Sequence, residues 1–169
     1  MSPLSLSIEV HAPIERCFAL STNVELVQGT LGMKQISGPS FVIAESRIVW
    51  RGIKFGLPTT HHTLITAFTP PALHTLDGEP TLTAFFQDTQ EQGRFAHFHH
   101  DHFFRQSSTP GSPTIMEDHV YFDLPFGILG RAASLALLKP HILKLANQRF
   151  ALLKRLAEST NEWQQYMPA

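Results

Sequence analysis

Cysteine, charged residues and long apolar runs are all scarce in this chain of 169 residues. Its single cysteine, Cys17, excludes an internal disulfide and is typical of a reducing compartment. The longest apolar run, AASLALL, is far too short to span a bilayer. The opening MSPLSLSIEVHAP has no basic residue followed by an apolar run, so it does not resemble a secretory signal. We therefore expect a soluble, cytoplasmic protein.

The few charges nearly cancel, but they are unevenly distributed along the chain. A net charge of −1 argues against a nucleic-acid-binding protein. Between Pro125 and Glu158, six basic residues stand against one acid, so this segment is basic and the rest of the chain is acidic. We interpret the segment as a helix that packs on an acidic body. Contact with a membrane surface or an acidic partner through this basic C-terminal helix is the less favoured alternative.

The first part of the chain predicts one strand and two short helices. LSLSIEV alternates apolar and polar residues, which is the pattern of a strand with one buried face. Pro13 suits the first turn of a helix, and Asn23 suits the N-cap of a second one that ends at Gly29 or Gly32.

The middle of the chain, from Met33 to Leu124, predicts about six strands in succession. Apolar and β-branched runs alternate there with clusters of Gly, Pro and Ser, and no helical pattern of useful length interrupts them. One of the strands, PTTHHTLITAF, is expected to end at Pro70. Such a succession is typical of an antiparallel meander.

The last segment predicts a long, kinked helix. Apolar residues recur at helical spacing for about 30 residues, and Pro140 interrupts the pattern because it removes one backbone hydrogen bond. Together these elements predict an α+β fold in which a twisted sheet of six to seven strands curls around the helix and leaves a cavity. We expect residues 1–160 to form a single domain and residues 161–169 a C-terminal tail.

Two motifs carry a resemblance to a known superfamily. The run FFQDTQEQGRFAHFHHDHFF combines an FxDxQ pattern with an FxHxHxF pattern, and EDHVYFDLPFGILGR follows it. With APIERCF after the first strand, these motifs resemble the START-like, polyketide-cyclase and pollen-allergen superfamily (SRPBCC), in particular a branch of small bacterial proteins called cell-division-inhibitor-like. The resemblance implies a helix-grip fold around an apolar cavity for lipids, polyketides or similar molecules. One departure is His61, where relatives often carry tryptophan.

In and beside the FxHxHxF pattern, four histidines and an aspartate occupy five of the six positions from 97 to 102. Strand alternation would place His100 and His102 on the concave face, together with Phe98 and Phe104. His97 and His99 would then point outward. If the following hairpin is centred on Pro110, the numbers of any two paired residues add up to 220. His102 then faces Asp118.

The predicted pair of His102 and Asp118 has two interpretations. In the first, the two side chains satisfy each other as buried polar groups. In the second, the carboxylate orients an imidazole that contacts the ligand as a donor or general base. We therefore keep His102 and Asp118 as candidate catalytic residues.

The full set of candidate ligand-binding residues lies on the concave face, and it comprises Trp50, Phe86, Phe98, His100, His102, Phe104, Asp118 and Phe122. We expect no metal and no cofactor, because neither HExxH nor CxxC spacing is present and His62 or His119 would have to supply a third ligand. Arg149 matches an arginine of the superfamily but is interpreted as a surface residue. The favoured function is binding or carriage of a small hydrophobic ligand, and the alternative is a cyclase or dehydratase that uses the His–Asp pair.

Overall fold

The computed structural model describes residues 4–168, apart from the side chains of Leu129 and Arg131. It contains one antiparallel sheet of seven strands in the spatial order β1-β7-β6-β5-β4-β3-β2. The strands are β1 (Leu4–Val10), β2 (Lys34–Ser37), β3 (Arg47–Lys54), β4 (Leu57–Leu76), β5 (Glu79–Gln92), β6 (His97–Ser107) and β7 (Thr114–Asp123). The predicted α+β helix-grip fold is confirmed.

Two short helices follow the first strand, as predicted. Helix α1 spans Ile14–Thr22 and helix α2 spans Val24–Leu31. The side chain of Asn23 caps α2 by accepting a hydrogen bond from the backbone N–H of Leu26 at 3.2 Å. Gly32 ends α2 in the left-handed conformation, with φ of 64°.

The hairpin of β4 and β5 is longer than the sequence predicts. The expected end at Pro70 is wrong, because β4 continues through Pro71 to Leu76. The pairing of β4 with β5 shifts register between Thr69 and Ala72, so the two prolines lie in a bulge where the ladder does not require their missing N–H groups.

The C-terminal helix is interrupted just before Pro140. Helix α3 spans Gly127–Ala133, a π-helical turn spans Ser134–Leu138, and helix α4 spans Lys139–Glu158. The backbone N–H of Lys139 bonds to the carbonyl of Ser134, five residues earlier. The break predicted from Pro140 therefore takes the form of a widened turn. No helix in the described part of the chain is long and apolar enough to cross a membrane.

Helix α4 lies against the sheet with one apolar stripe, which comprises Ala146, Phe150, Leu153, Leu156 and Ala157. Beneath α1, the ring of Phe18 contacts those of Phe68 and Phe104, each with a centroid distance of 5.4 Å. Within the predicted C-terminal tail, residues 161–169, Glu162–Tyr166 form a 3-10 turn. Trp163 of this turn packs against the core. The core thus includes the side chains under α1 and those along the C-terminal half of α4.

Cys17 offers a direct check on this packing. The residue is 1% exposed, and burial raises the pKa of its thiol to about 11. Because only the thiolate reacts, we expect alkylation by iodoacetamide at pH 8 to be slower by a factor on the order of 100 or more in the folded protein than in urea. Rapid labelling of the native protein would contradict the placement of α1.

Candidate ligand-binding cavity

A cavity of about 390 Å³ lies between the concave face of the sheet, helix α2 and the start of α4. The interrupted stretch of the C-terminal helix borders the cavity through Leu137 and Leu138. Its wall is mainly apolar, and representative lining residues are Val27, Trp50, Phe86, Phe98, Val120 and Ala146. The indole N–H of Trp50 donates to the hydroxyl of Thr63 at 3.0 Å, so this ring presents its apolar surface to the cavity.

Six of the eight predicted ligand-binding residues line this cavity, namely Trp50, Phe86, Phe98, His100, His102 and Asp118. The structure places Phe104 elsewhere, in the core beneath Phe18, because β6 extends past the cavity under α1. Phe122 also lies outside the lining, half-buried against Phe95 with a ring distance of 6.4 Å. His61 does line the cavity, edge-on to Phe98 at 5.8 Å.

The register of β6 and β7 is the one expected for a hairpin centred on Pro110. His102 pairs with Asp118, and His100 pairs with Val120. His97 is exposed on the other face. The short hairpin determines this register, and strand alternation then turns His100 and His102 to the same side.

Five polar side chains meet on the cavity wall and form what we call the polar cluster: Asp88, His100, His102, Asp118 and Arg149. Asp118 lies at its centre, with Oδ1 2.7 Å from Nδ1 of His102 and Oδ2 3.0 Å from Nη1 of Arg149. The second imidazole, His100, has Nε2 3.3 Å from Oδ2 of Asp118. The cluster thus links three strands of the sheet, β5, β6 and β7, to α4.

Two members of the polar cluster were missed by sequence reasoning. Asp88 belongs to the FxDxQ pattern, and β5 pairs it directly with His100, so that its Oδ2 lies 3.2 Å from Nε2 of His102. Arg149 was interpreted as a surface residue, yet its side chain is only 11% exposed and also donates to the carbonyl of Ser21 at 3.2 Å. The pairing of Asp88 with His100 is the signal that could have located the first of these.

The members of the polar cluster differ in how far they are open to the cavity. The side chains of His102 and Asp118 are 4% and 3% exposed, whereas those of His100 and Asp88 are 15% and 16% exposed. A bound molecule therefore meets His100 and Asp88 first. His102 and Asp118 support them from behind.

Both carboxylates of the polar cluster are held in the ionised form. Burial acts to raise the pKa of Asp118, but the charges of His102, His100 and Arg149 outweigh it, so this pKa lies well below its ordinary value. Burial opposes ionisation of Asp88 as well. The hydrogen bond to His102 and the nearby His100 nevertheless lower its pKa.

The two imidazoles respond to this environment in opposite directions. Burial and the charge of Arg149 act to lower the pKa of His102, but the charge of Asp118 and the hydrogen bonds to Asp118 and Asp88 outweigh them, so the pKa is raised. The pKa of His100 is lowered, first by burial and then by the charge of His102. The surroundings therefore favour the protonated form of His102 more than that of His100, and the two imidazoles together can exchange hydrogen bonds and protons with a ligand.

No sequence model of a known family matches the chain, and no curated protein matches it by sequence. Solved structures do match. A protein of Thermus thermophilus is 14% identical over 93% of this chain and 99% of that chain, with a TM-score of 0.57. The Zhui aromatase/cyclase of a Streptomyces species is 9% identical over 94% and 97%, with a TM-score of 0.54.

A third similar structure is a START superfamily protein of Mycobacterium smegmatis, 14% identical over 90% of this chain and 99% of that chain, with a TM-score of 0.50. At these identities the likeness concerns the fold. The chain has the helix-grip fold of the START-like superfamily, so the resemblance stated from the sequence is confirmed at that level. The narrower assignment to the cell-division-inhibitor-like branch stays a prediction.

Proposed function

We propose that this protein binds a small hydrophobic molecule, of the lipid, polyketide or aromatic class, in the cavity and acts in the cytoplasm as a binder or carrier. The observation that carries the proposal is the cavity of about 390 Å³, whose wall is mainly apolar and includes the polar cluster. This combination is typical of sites that bury most of a small ligand and orient it through a few polar contacts.

The ligand would lie between Trp50 and Phe98 on the sheet and Ala146 on α4, all of which line the cavity. Its polar end would point to His100 and Asp88, which are the more exposed members of the polar cluster. A molecule with one polar end and an extended or fused-ring apolar body fits this arrangement. A single domain of residues 1–160 is part of the proposal, and every element that lines the cavity falls within that range.

Titration with an apolar fluorescent probe tests this proposal. We expect 1-anilinonaphthalene-8-sulfonate to gain fluorescence with a single saturable site on the folded protein. Competition by palmitate and by a fused-ring anthraquinone then identifies the ligand class, because only a compound that enters the cavity displaces the probe. A folded protein that shows no saturable signal, or a signal that neither compound reduces, would contradict the proposal.

The second candidate function is a cyclase or dehydratase in which His102 and Asp118 move a proton. The separation of 2.7 Å between the two side chains favours it, as does the fold likeness to an aromatase/cyclase. Replacing His102 with glutamine separates the two functions. An enzyme would lose turnover of a polyketide substrate while still binding it, whereas a carrier would show no turnover in either form.

A further inference from the structure

Three side chains of the polar cluster bring atoms that can ligate a metal ion close together. Oδ2 of Asp88 lies 3.2 Å from Nε2 of His102 and 3.9 Å from Nδ1 of His100. Asp88, His100 and His102 offer ligand atoms that all lie within 4.8 Å of one another. The strands explain this convergence, because β5 pairs Asp88 with His100 and residues two apart on β6 share a face.

The remaining nitrogen of each imidazole faces Asp118. Nδ1 of His102 lies 2.7 Å from Oδ1, a distance that requires a proton between the two atoms. Nε2 of His100 lies 3.3 Å from Oδ2, although its direction does not complete a hydrogen bond, and this buried nitrogen has no hydrogen-bond partner among the described residues. Asp118 thus orients the ring of His102 through a hydrogen bond, as carboxylates do behind histidines that bind a metal, and lies beside the ring of His100.

This orientation brings two hydrogen-bond acceptors, Nε2 of His102 and Oδ2 of Asp88, close together on the side of the rings away from Asp118. When Nδ1 of His102 carries the proton toward Asp118, Nε2 of a neutral ring presents a lone pair to the carboxylate of Asp88. A second proton on His102 satisfies that contact, but it leaves Nδ1 of His100 at 3.9 Å from the same oxygen. A single cation placed between the three atoms satisfies all of them at once.

The separations suit a small transition-metal ion. Nitrogen and oxygen ligands at 2.0–2.2 Å from a tetrahedral zinc ion lie roughly 3.3–3.6 Å from one another. The observed separations of 3.2 and 3.9 Å bracket that range. The set of two imidazoles and one carboxylate suits zinc and its divalent neighbours better than magnesium or calcium, which prefer oxygen ligands alone.

The surrounding charges favour a cation beside Asp88, and the exposure of its ligands leaves one coordination position open. The guanidinium of Arg149, 3.0 Å from Asp118, already balances that carboxylate and leaves Asp88 to the ion. His100 and Asp88 are the members of the polar cluster most open to the cavity, so the free position faces it. A ligand that presents a carboxylate, enolate or phenolate oxygen could complete the coordination.

We infer that Asp88, His100 and His102 form a binding site for a divalent transition-metal ion, oriented from behind by Asp118 and open to the cavity. The metal site goes beyond the proposed function and stands without it. Only the coordination of a cavity ligand by the ion rests on the proposed function.

The test is calorimetric titration of chelator-treated protein with zinc chloride, supported by the visible absorption of the cobalt(II) form. We expect one equivalent to bind to the wild type. Asp88→Asn and His100→Gln should each weaken binding by about 100-fold or more, because each removes one of the three ligands. The matched control is His97→Gln, which changes an exposed histidine on the opposite face of the same strand and should bind zinc as the wild type does.

Wild-type affinity in both Asp88→Asn and His100→Gln would overturn the inference. So would absence of binding to the wild type, or loss of binding in His97→Gln. Circular dichroism of each variant establishes whether it is folded, and His102→Gln provides a further ligand variant if one of them is not. The probe titration is repeated with and without zinc. Zinc binding without probe binding would sink the proposed carrier function alone, and probe binding without zinc binding would sink the metal site alone.

Discussion

Replacing Asp118 with alanine is expected to lower the free energy of unfolding by about 3–5 kcal/mol, because it leaves buried charged and polar partners without their carboxylate. Asp118 is 2% exposed, accepts a hydrogen bond from Arg149 at 3.0 Å and lies 2.7 Å from His102. Arg149, which is only 11% exposed, would keep the carbonyl of Ser21 and Nδ1 of His102 as neighbours but would lose its only carboxylate partner among the described residues. Urea denaturation of the variant and the wild type measures the difference.

The matched control is Glu117→Ala on the neighbouring position of β7. Glu117 lies on the other face of the sheet, 3.7 Å from the exposed Arg105, and such a surface pair contributes about 0–1 kcal/mol. If Asp118→Ala unfolds at the same urea concentration as Glu117→Ala but no longer binds the apolar probe, the polar cluster serves the ligand and not the fold. That result would contradict the interpretation that Asp118 stabilises the fold as the partner of buried polar groups.

Replacing Ala146 with phenylalanine is expected to abolish most ligand binding while the protein stays folded. Ala146 lines the cavity from α4, so the new ring would occupy space that a ligand needs. Loss of about 100 Å² of buried apolar ligand surface corresponds to about 2.5 kcal/mol, or roughly a 70-fold weaker affinity. Fluorescence titration with the apolar probe measures the change.

Ala151→Phe is the control for this substitution, because Ala151 is an exposed residue of the same helix. It adds the same side chain outside the cavity and should leave affinity unchanged. Equal weakening by both substitutions would mean that the effect comes through the helix and not through the cavity. Unchanged affinity in Ala146→Phe would place the ligand elsewhere.

Sequence reasoning located the part of the polar cluster that depends on strand geometry alone. Alternation along β6 separates His100 and His102 from His97, and the short turn before β7 sets the pairing of His102 with Asp118. Both inferences need only a period of two and a hairpin of known centre. They hold because β6 and β7 pair without a bulge.

The parts that were missed depend on irregular structure. The contact of Arg149 with Asp118 depends on how α4 lies across the sheet after the π-helical turn, and helical spacing along the sequence does not predict that arrangement. The continuation of β4 through Pro70 depends on a bulge in the pairing with β5. Phe104 has the right face of β6, but α1 covers that part of the strand.

Native mass spectrometry of the wild type and Ala146→Phe, each incubated with the compound that best displaces the probe, tests the central claim most directly. The account predicts that the wild type carries one molecule of the compound and that Ala146→Phe is largely bare under the same conditions. A wild type that stays bare, or an Ala146→Phe variant that carries the compound to the same extent, would contradict a ligand bound in the cavity between the sheet and α4.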